Sequence, residues 1–457
     1  MPPEFPQMSI TEPRTPEKKP GKGSWALTLL PLNAGVQGFS TMVPLYILSL
    51  GGTVVDVALM TTLYNFVLIP SSIFWGRMTD RLARRRFFFV VTCVGCTLIF
   101  VAMFLFPDLR ALTVLYAALG FVISANSAST NLLVMETSEK KKWISSFSRL
   151  NLVASAGSII GLAVGFVWTS ALPLEAFLLF CAGATGVGIV LSYYRIPEPA
   201  VTLETTQLSF HPSGYLSRVY QSMTFVLGHI VLSPPSAKGI LRALRATKAG
   251  AMTGRALLFL SMFLFTTSSA LLNTSFTPFL SESGVVDNEI FAVSLINIVI
   301  QTGVYRWVGD IINRFGGVRI GSYAVLVRAG LYMVFAASAL VFRGTPLFLV
   351  AAVFYGMIGV VYAFWNSATS VTLMSNLGQV KQGNVLGGYA ALGALGTVVG
   401  SLFTGYISYF QGYSTTFTTA AAVMLVSFFV LEASLKSFGY TKRRSKDQGP
   451  AAPAPTS

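Results

Sequence analysis

The sequence predicts an all-α membrane protein of twelve transmembrane helices arranged as two parallel six-helix repeats, and three observations carry that prediction. First, 53% of the 457 residues are hydrophobic and 11% are charged. At roughly 20 apolar residues per crossing, that suffices for about twelve spans and lies far outside the composition of a soluble domain. Second, the two halves match at a fixed offset of 233 residues, pairing Gly51 with Gly284, Asp56 with Glu289, Gly76 with Gly309 and Arg81 with Arg314. Third, the net charge of +15 resolves into a one-sided distribution of Lys and Arg once the spans are placed. Nucleic acid is not needed to explain that charge. Three cysteines and two histidines argue against a disulfide framework or a His-rich metal site, and no cofactor is expected.

Taken in order, residues 1–24 carry six prolines and read as a disordered tail. No signal peptide precedes the first span, whose length marks a retained helix. The N-terminal bundle occupies 25–194, with spans at 25–50, 55–75, 87–106, 111–135, 143–170 and 175–194. A central loop, 195–254, contains a segment at 236–248 in which Lys238, Arg242 and Arg245 oppose Ile240, Leu241 and Leu244. Such a helix lies on the membrane surface, as a latch to anionic lipid or as a plain tether. The C-terminal bundle occupies 255–436, with spans at 255–281, 288–307, 320–342, 346–374, 385–409 and 415–435, and 437–457 reads as a second disordered tail. With both termini inside, 28 of the 32 Lys and Arg residues fall on the inner side; Arg110 and Arg343 lie outside, and Arg149 and Arg328 within spans. The expectation is a multi-pass plasma-membrane protein, monomeric, with cytoplasmic termini.

The repeat continues with a slightly larger offset: Asn126-Ser127-Ala128 recurs as Asn366-Ser367-Ala368, and Gly157 and Gly161 recur as Gly396 and Gly400. Because six is even, both copies keep the same orientation. After the second span the chain reads Gly76-Arg77-Met78-Thr79-Asp80-Arg81-Leu82-Ala83-Arg84-Arg85-Arg86. This resembles the signature loop of the major facilitator superfamily, matched at Gly76, Asp80, Arg81, Arg84 and Arg85, with Ala83 where that family usually has glycine. The equivalent loop keeps Gly309, Arg314 and Gly316 but has Asn313 for the acid, and Glu198 stands where the family's sixth helix ends in an acid. The resemblance implies a transporter fold, of a drug-efflux-like or general solute branch, in which these residues help close the inner side. The family's antiporters carry a glycine-rich fifth span with a proline; here Leu162 stands in that place, so close helix packing is the reading for Gly157, Gly161 and Gly165.

Polar residues within the spans form helical stripes: Asn33, Gln37 and Ser40 in the first; Asn126 and Thr130 in the fourth; Thr266, Ser269 and Asn273 in the seventh; Ser294, Asn297, Gln301 and Tyr305 in the eighth; Tyr355, Tyr362 and Asn366, beside Trp365, in the tenth. Lipid offers such groups no partner, so they face a cavity or other helices. By the resemblance these helices surround the central site. All 17 acids lie toward span ends or outside the spans, so a coupling proton, if used, would need a peripheral acid such as Asp56, Glu282 or Glu289. Without a midplane carboxylate the cargo is expected to be neutral, amphipathic or anionic. Arg149, six residues into the fifth span, faces an anion or gate or snorkels to the interface; Arg328 reads as structural, and Cys93 and Cys96 as packing residues. The function expected is secondary active or facilitative transport of a small solute. A non-transporting receptor or scaffold is the alternative, and no constellation of an enzyme is present.

Overall fold

The computed structural model describes residues 24–82, 84–137, 143–197, 254–315, 317–376 and 382–447. A 3-10 turn, Ser24–Thr28, leads into α1 (Leu29–Ser49), followed by α2 (Val54–Leu82), α3 (Arg85–Leu105), α4 (Leu109–Thr137), α5 (Trp143–Ala171) and, after a second 3-10 turn, α6 (Phe177–Arg195). The second half comprises α7 (Gly254–Glu282), α8 (Asp287–Phe315), α9 (Gly317–Val341), α10 (Gly344–Asn376), α11 (Gln382–Gln411) and α12 (Tyr413–Asp447). Among the described residues there is no strand. Eleven of the helices are long and apolar enough to cross a membrane by themselves. The exception is α1, whose apolar run is diluted by Asn33, Gln37, Ser40, Pro31 and Pro44.

Two helices run well past their apolar stretches. The signature segment from Gly76 to Leu82 is the last part of α2 rather than a loop, and Gly309 to Arg314 ends α8 in the same way. The apolar run stops where hydrocarbon stops, but Arg, Met and Leu are good helix formers and continue the helix into the interface. For the same reason α12 continues through Asp447, so part of the segment read as a disordered tail, 437–447, is helical. Residues 1–23 and 448–457, and the central segment 198–253 with its expected surface helix at 236–248, lie outside the described residues.

The two halves repeat the same packing. In the first, α1 packs on α5 and α6, α2 on α4, and α3 on α4 and α6; in the second, α7 packs on α11 and α12, α8 on α10, and α9 on α10 and α12. Glycines set the closest approaches. A Cβ on Gly157 or Gly161 would fall on the carbonyl oxygens of Leu30 and Ala34, and one on Gly396 or Gly400 on those of Phe263 and Thr267. Thus α5 approaches α1 backbone to backbone, and α11 approaches α7 likewise. The paired Gly51 and Gly284 take φ of +81° and +85° in the α1–α2 and α7–α8 turns, where a side chain would be strained. Paired Asp56 and Glu289 then cap the next helix: Thr53 N donates to Asp56 Oδ2 at 2.7 Å and Val286 N to Glu289 Oε2 at 3.3 Å. Cys93, Cys96 and Cys181 are buried free thiols in the first core.

Odd-numbered helices run away from the face where the termini emerge and even-numbered ones return. The halves meet through α2 with α11 and α5 with α8. Both contacts are documented at the face opposite the termini: Gly405 lies against Val55 and Ala58, and Gly165 against Phe291. Phe291 also meets Phe177 edge to face, with centroids 5.5 Å apart.

Candidate functional site

The polar stripes divide into two kinds. In the first half they close on their own helices: Asn33 Nδ2 donates to Leu29 O at 2.8 Å, Gln37 Nε2 to Ser40 Oγ at 3.3 Å, and Thr130 Oγ1 to Asn126 Oδ1 at 3.1 Å. Thr266, in α7, behaves the same way and donates to Met262 O and Phe263 O. Among the described residues none of these bonds reaches a neighbouring helix.

In the second half the stripes cross between helices. Asn297 Nδ2 on α8 donates to Tyr355 O on α10 at 2.6 Å. Gln301 Nε2 and Asn366 Nδ2 both donate to Tyr305 Oη, at 3.3 and 3.4 Å, joining α8 to α10 again. Gly359 permits this approach, since a Cβ there would lie 2.7 Å from Asn297 O. Aromatic rings tie the network to α7: Tyr355 stacks on Phe276 at 4.5 Å, and Trp365 on Phe265 at 3.5 Å with 9° between planes. Tyr362 stands 5.9 Å from Trp365. Tyr305, a member of the α8 stripe, is the node of the network; its spacing of four residues from Gln301 was the signal for it.

On α1 and α7, Ser40 and Asn273 occupy repeat-related positions and are exposed between buried neighbours. Since α1 touches α2, α5, α6, α7 and α8, and α7 touches α1, α2, α8, α11 and α12, both helices are surrounded by others.

At the terminal face, Arg85 is buried and donates from Nη1 to Thr79 O at 2.8 Å, closing the end of α2. Arg86 donates from Nε to Ile196 O at 3.2 Å, at the end of α6, and covers the Tyr193 ring at 5.6 Å. These are charge-assisted bonds to helix C-termini, where the dipole favours a cation. Arg84, Gly309 and Arg314 are exposed and Gly76 is half-buried. The side chains of Asp80, Arg81 and Asn313, and residues Glu198 and Gly316, lie outside the described part. Arg149 is exposed on α5. The peripheral acids have structural work: Asp56 and Glu289 cap helices, and Glu282 accepts from Tyr413 Oη at 2.7 Å. Among the described residues no group of His, Cys, Asp and Glu is placed to hold a metal.

A sequence profile described as Major Facilitator Superfamily matches residues 26–387. No curated protein matches the sequence. Among solved structures, the chain superposes on a POT family transporter in complex with 5-aminolevulinic acid with TM-score 0.73 at 12% identity, covering 92% of this chain and 97% of that one. The nucleoside transporter NupG gives TM-score 0.68 at 13% identity, covering 90% and 99%. The human organic anion transporter MFSD10 (TETRAN) gives 0.58 at 16% identity, covering 90% and 100%.

Proposed function

The chain belongs to the Major Facilitator Superfamily, and from that premise we propose that it is a secondary active or facilitative transporter that moves a small solute by alternating access of its two six-helix halves. The observation that carries this reading is the Gln301–Tyr305–Asn366 network bridging α8 and α10 at membrane depth. A buried polar network costs stability unless it is satisfied, and amides and a hydroxyl can exchange such bonds for bonds to a ligand. Asn33, Gln37, Asn126, Thr130, Thr266 and Asn273 supply the remaining polar positions of the proposed cavity, with Tyr355, Tyr362 and Trp365 as apolar walls. The excess of Lys and Arg puts the termini in the cytoplasm. The contacts of Gly405 and Gly165 then lie on the outer side, the arrangement of a carrier closed outside.

The cargo proposed is neutral, amphipathic or anionic, because every carboxylate is peripheral and Asp56, Asp108, Glu282 and Glu289 already cap a helix or hydrogen-bond. The solved relatives share too little sequence to lend their own cargo to this chain. The protein is placed in the plasma membrane as a monomer, with the central segment contacting anionic lipid. The test is a thermal-shift screen of purified protein at two pH values, followed by counterflow of the compounds that stabilise it in proteoliposomes. Accumulation above passive leak is expected. Binding without flux would instead make the protein a receptor or scaffold on this fold.

A further inference from the structure

Arg328 has no counterpart in the first half. At the repeat offset its position is Gly95, packed so tightly that a Cβ would lie 2.6 Å from Val122 Cγ1; Val122 in turn stands where the second half has Tyr362. The six-helix unit therefore folds without a cation at this place.

In the second half Arg328 occupies the middle of α9 and is 2% exposed. Nε donates to Tyr332 Oη at 2.8 Å. The guanidinium carbon lies 5.0 Å from the ring centroid of Phe265, 5.5 Å from that of Tyr332 and 5.9 Å from that of Tyr362. Nη1 is buried and has no hydrogen-bond partner among the described residues. The acid on the facing helix α12, Glu432, is engaged by Ser322, six residues earlier and about 9 Å away along the axis. Aromatic faces offset part of the desolvation of a guanidinium, but a buried donor left unmade is costly, and a charge at membrane depth marks a functional position. What the geometry lacks is an anion.

We infer that Arg328 is an anion-recognition residue of the transport site, taking the carboxylate of the cargo beside the half-buried ring of Tyr362. Tyr362 is half-buried and lies one helical turn from Asn366, so the guanidinium sits one aromatic layer behind the Gln301–Tyr305–Asn366 network. The inference rests on the transport reading and narrows its cargo class to anionic.

The experiment uses the purified full-length protein and matched probes, 3-phenylpropionate and 4-phenylbutyrate against their primary amides, in thermal-shift titrations of wild type, Arg328→Lys and Arg328→Met. Carboxylates are expected to stabilise wild type and amides not. Arg328→Met weakens the carboxylates about 10- to 100-fold, the worth of a charge-assisted bond, and Arg328→Lys weakens them less. Without ligand, Arg328→Met unfolds at the wild-type temperature or above, because it removes an unpaired buried charge. The inference is overturned if no carboxylate stabilises wild type, if amides act equally, if Arg328→Met binds carboxylates within twofold of wild type, or if chloride alone reproduces the Arg328-dependent shift. Should Arg328→Met fail to fold, the wild-type panel and Arg328→Lys still decide. In proteoliposomes, flux of the amides without the carboxylates would end this inference and keep transport. Carboxylate binding without any flux would end the transport reading alone.

Discussion

Replacing Gly405 by leucine is expected to drive the two halves apart at the face opposite the termini. A Cβ at this position lies 2.7 Å from Ala58 Cβ, 3.2 Å from Val55 Cα and 3.7 Å from Val54 O. Two of these three are backbone atoms of α2, in the other half, and have no rotamer with which to yield. Leucine therefore cannot be accommodated while α2 and α11 touch, although each half can keep its own packing. Overpacking costs about 1–3 kcal/mol. Because the cost falls only on the arrangement in which the two helices meet here, it becomes a population shift of about 5- to 150-fold toward the alternative. Spin labels on cysteines placed at Thr53 and Gln411, both exposed at the tips of α2 and α11, would report it by pulsed dipolar spectroscopy as a new, longer distance. Gly183→Leu serves as control, since nothing lies within 4 Å of a Cβ there. An unchanged distance distribution in Gly405→Leu protein of normal thermal stability would refute the reasoning, because the two halves would then not depend on this contact.

Three further outcomes are expected. Gly161→Ala places a methyl on the Ala34 carbonyl and lowers stability by about 1–3 kcal/mol, read as a fall in melting temperature in detergent; no fall would mean that α1 and α5 are not in backbone contact. Asn297→Ala removes the 2.6 Å bond to Tyr355 O, and since interhelical bonds in membranes average about 0.6 kcal/mol it should barely move the melting temperature while slowing transport; a large stability loss with normal flux would make the residue structural. Asp80→Asn is expected to slow initial transport rates without loss of expression, and unchanged rates in proteoliposomes would remove its gating role.

The fold was legible because the bilayer restricts backbone to satisfied helices, so apolar length alone locates them. Their ends were not, since hydropathy reports where hydrocarbon ends while helix propensity decides where the helix does; hence the helical Gly76 to Leu82 and the extension of α12 through Asp447. Polar stripes show which face is polar but not where each side chain bonds. Asn33 and Asn297 look alike in sequence, yet one amide turns back to Leu29 O and the other reaches Tyr355 O across two helices. Gly359, whose missing side chain lets α10 approach α8, makes the second of these bonds possible. From sequence Arg328 reads as structural, because its helix is peripheral in the resembling family. Only the packing places it against Phe265 and Tyr362, on helices far away in sequence.

A duplicated unit separates what folding requires from what it does not. Gly51 and Gly284 make the same turn, Asp56 and Glu289 the same cap, and Gly157, Gly161, Gly396 and Gly400 the same backbone contact. Positions that serve the six-helix unit are thus kept in both copies. Where the copies differ, the unit tolerates either choice, and the difference must be sought in what each half meets. The second half replaces Gly95 and Val122 with Arg328 and Tyr362 and links its polar stripes between helices. The first keeps its stripes intrahelical and places Arg85 and Arg86 on the helix ends at the terminal face. A rigid, cross-linked surface loses less entropy on binding than one whose side chains must first leave their own helices. On the proposed reading, that preorganisation assigns the greater share of cargo recognition to the second half.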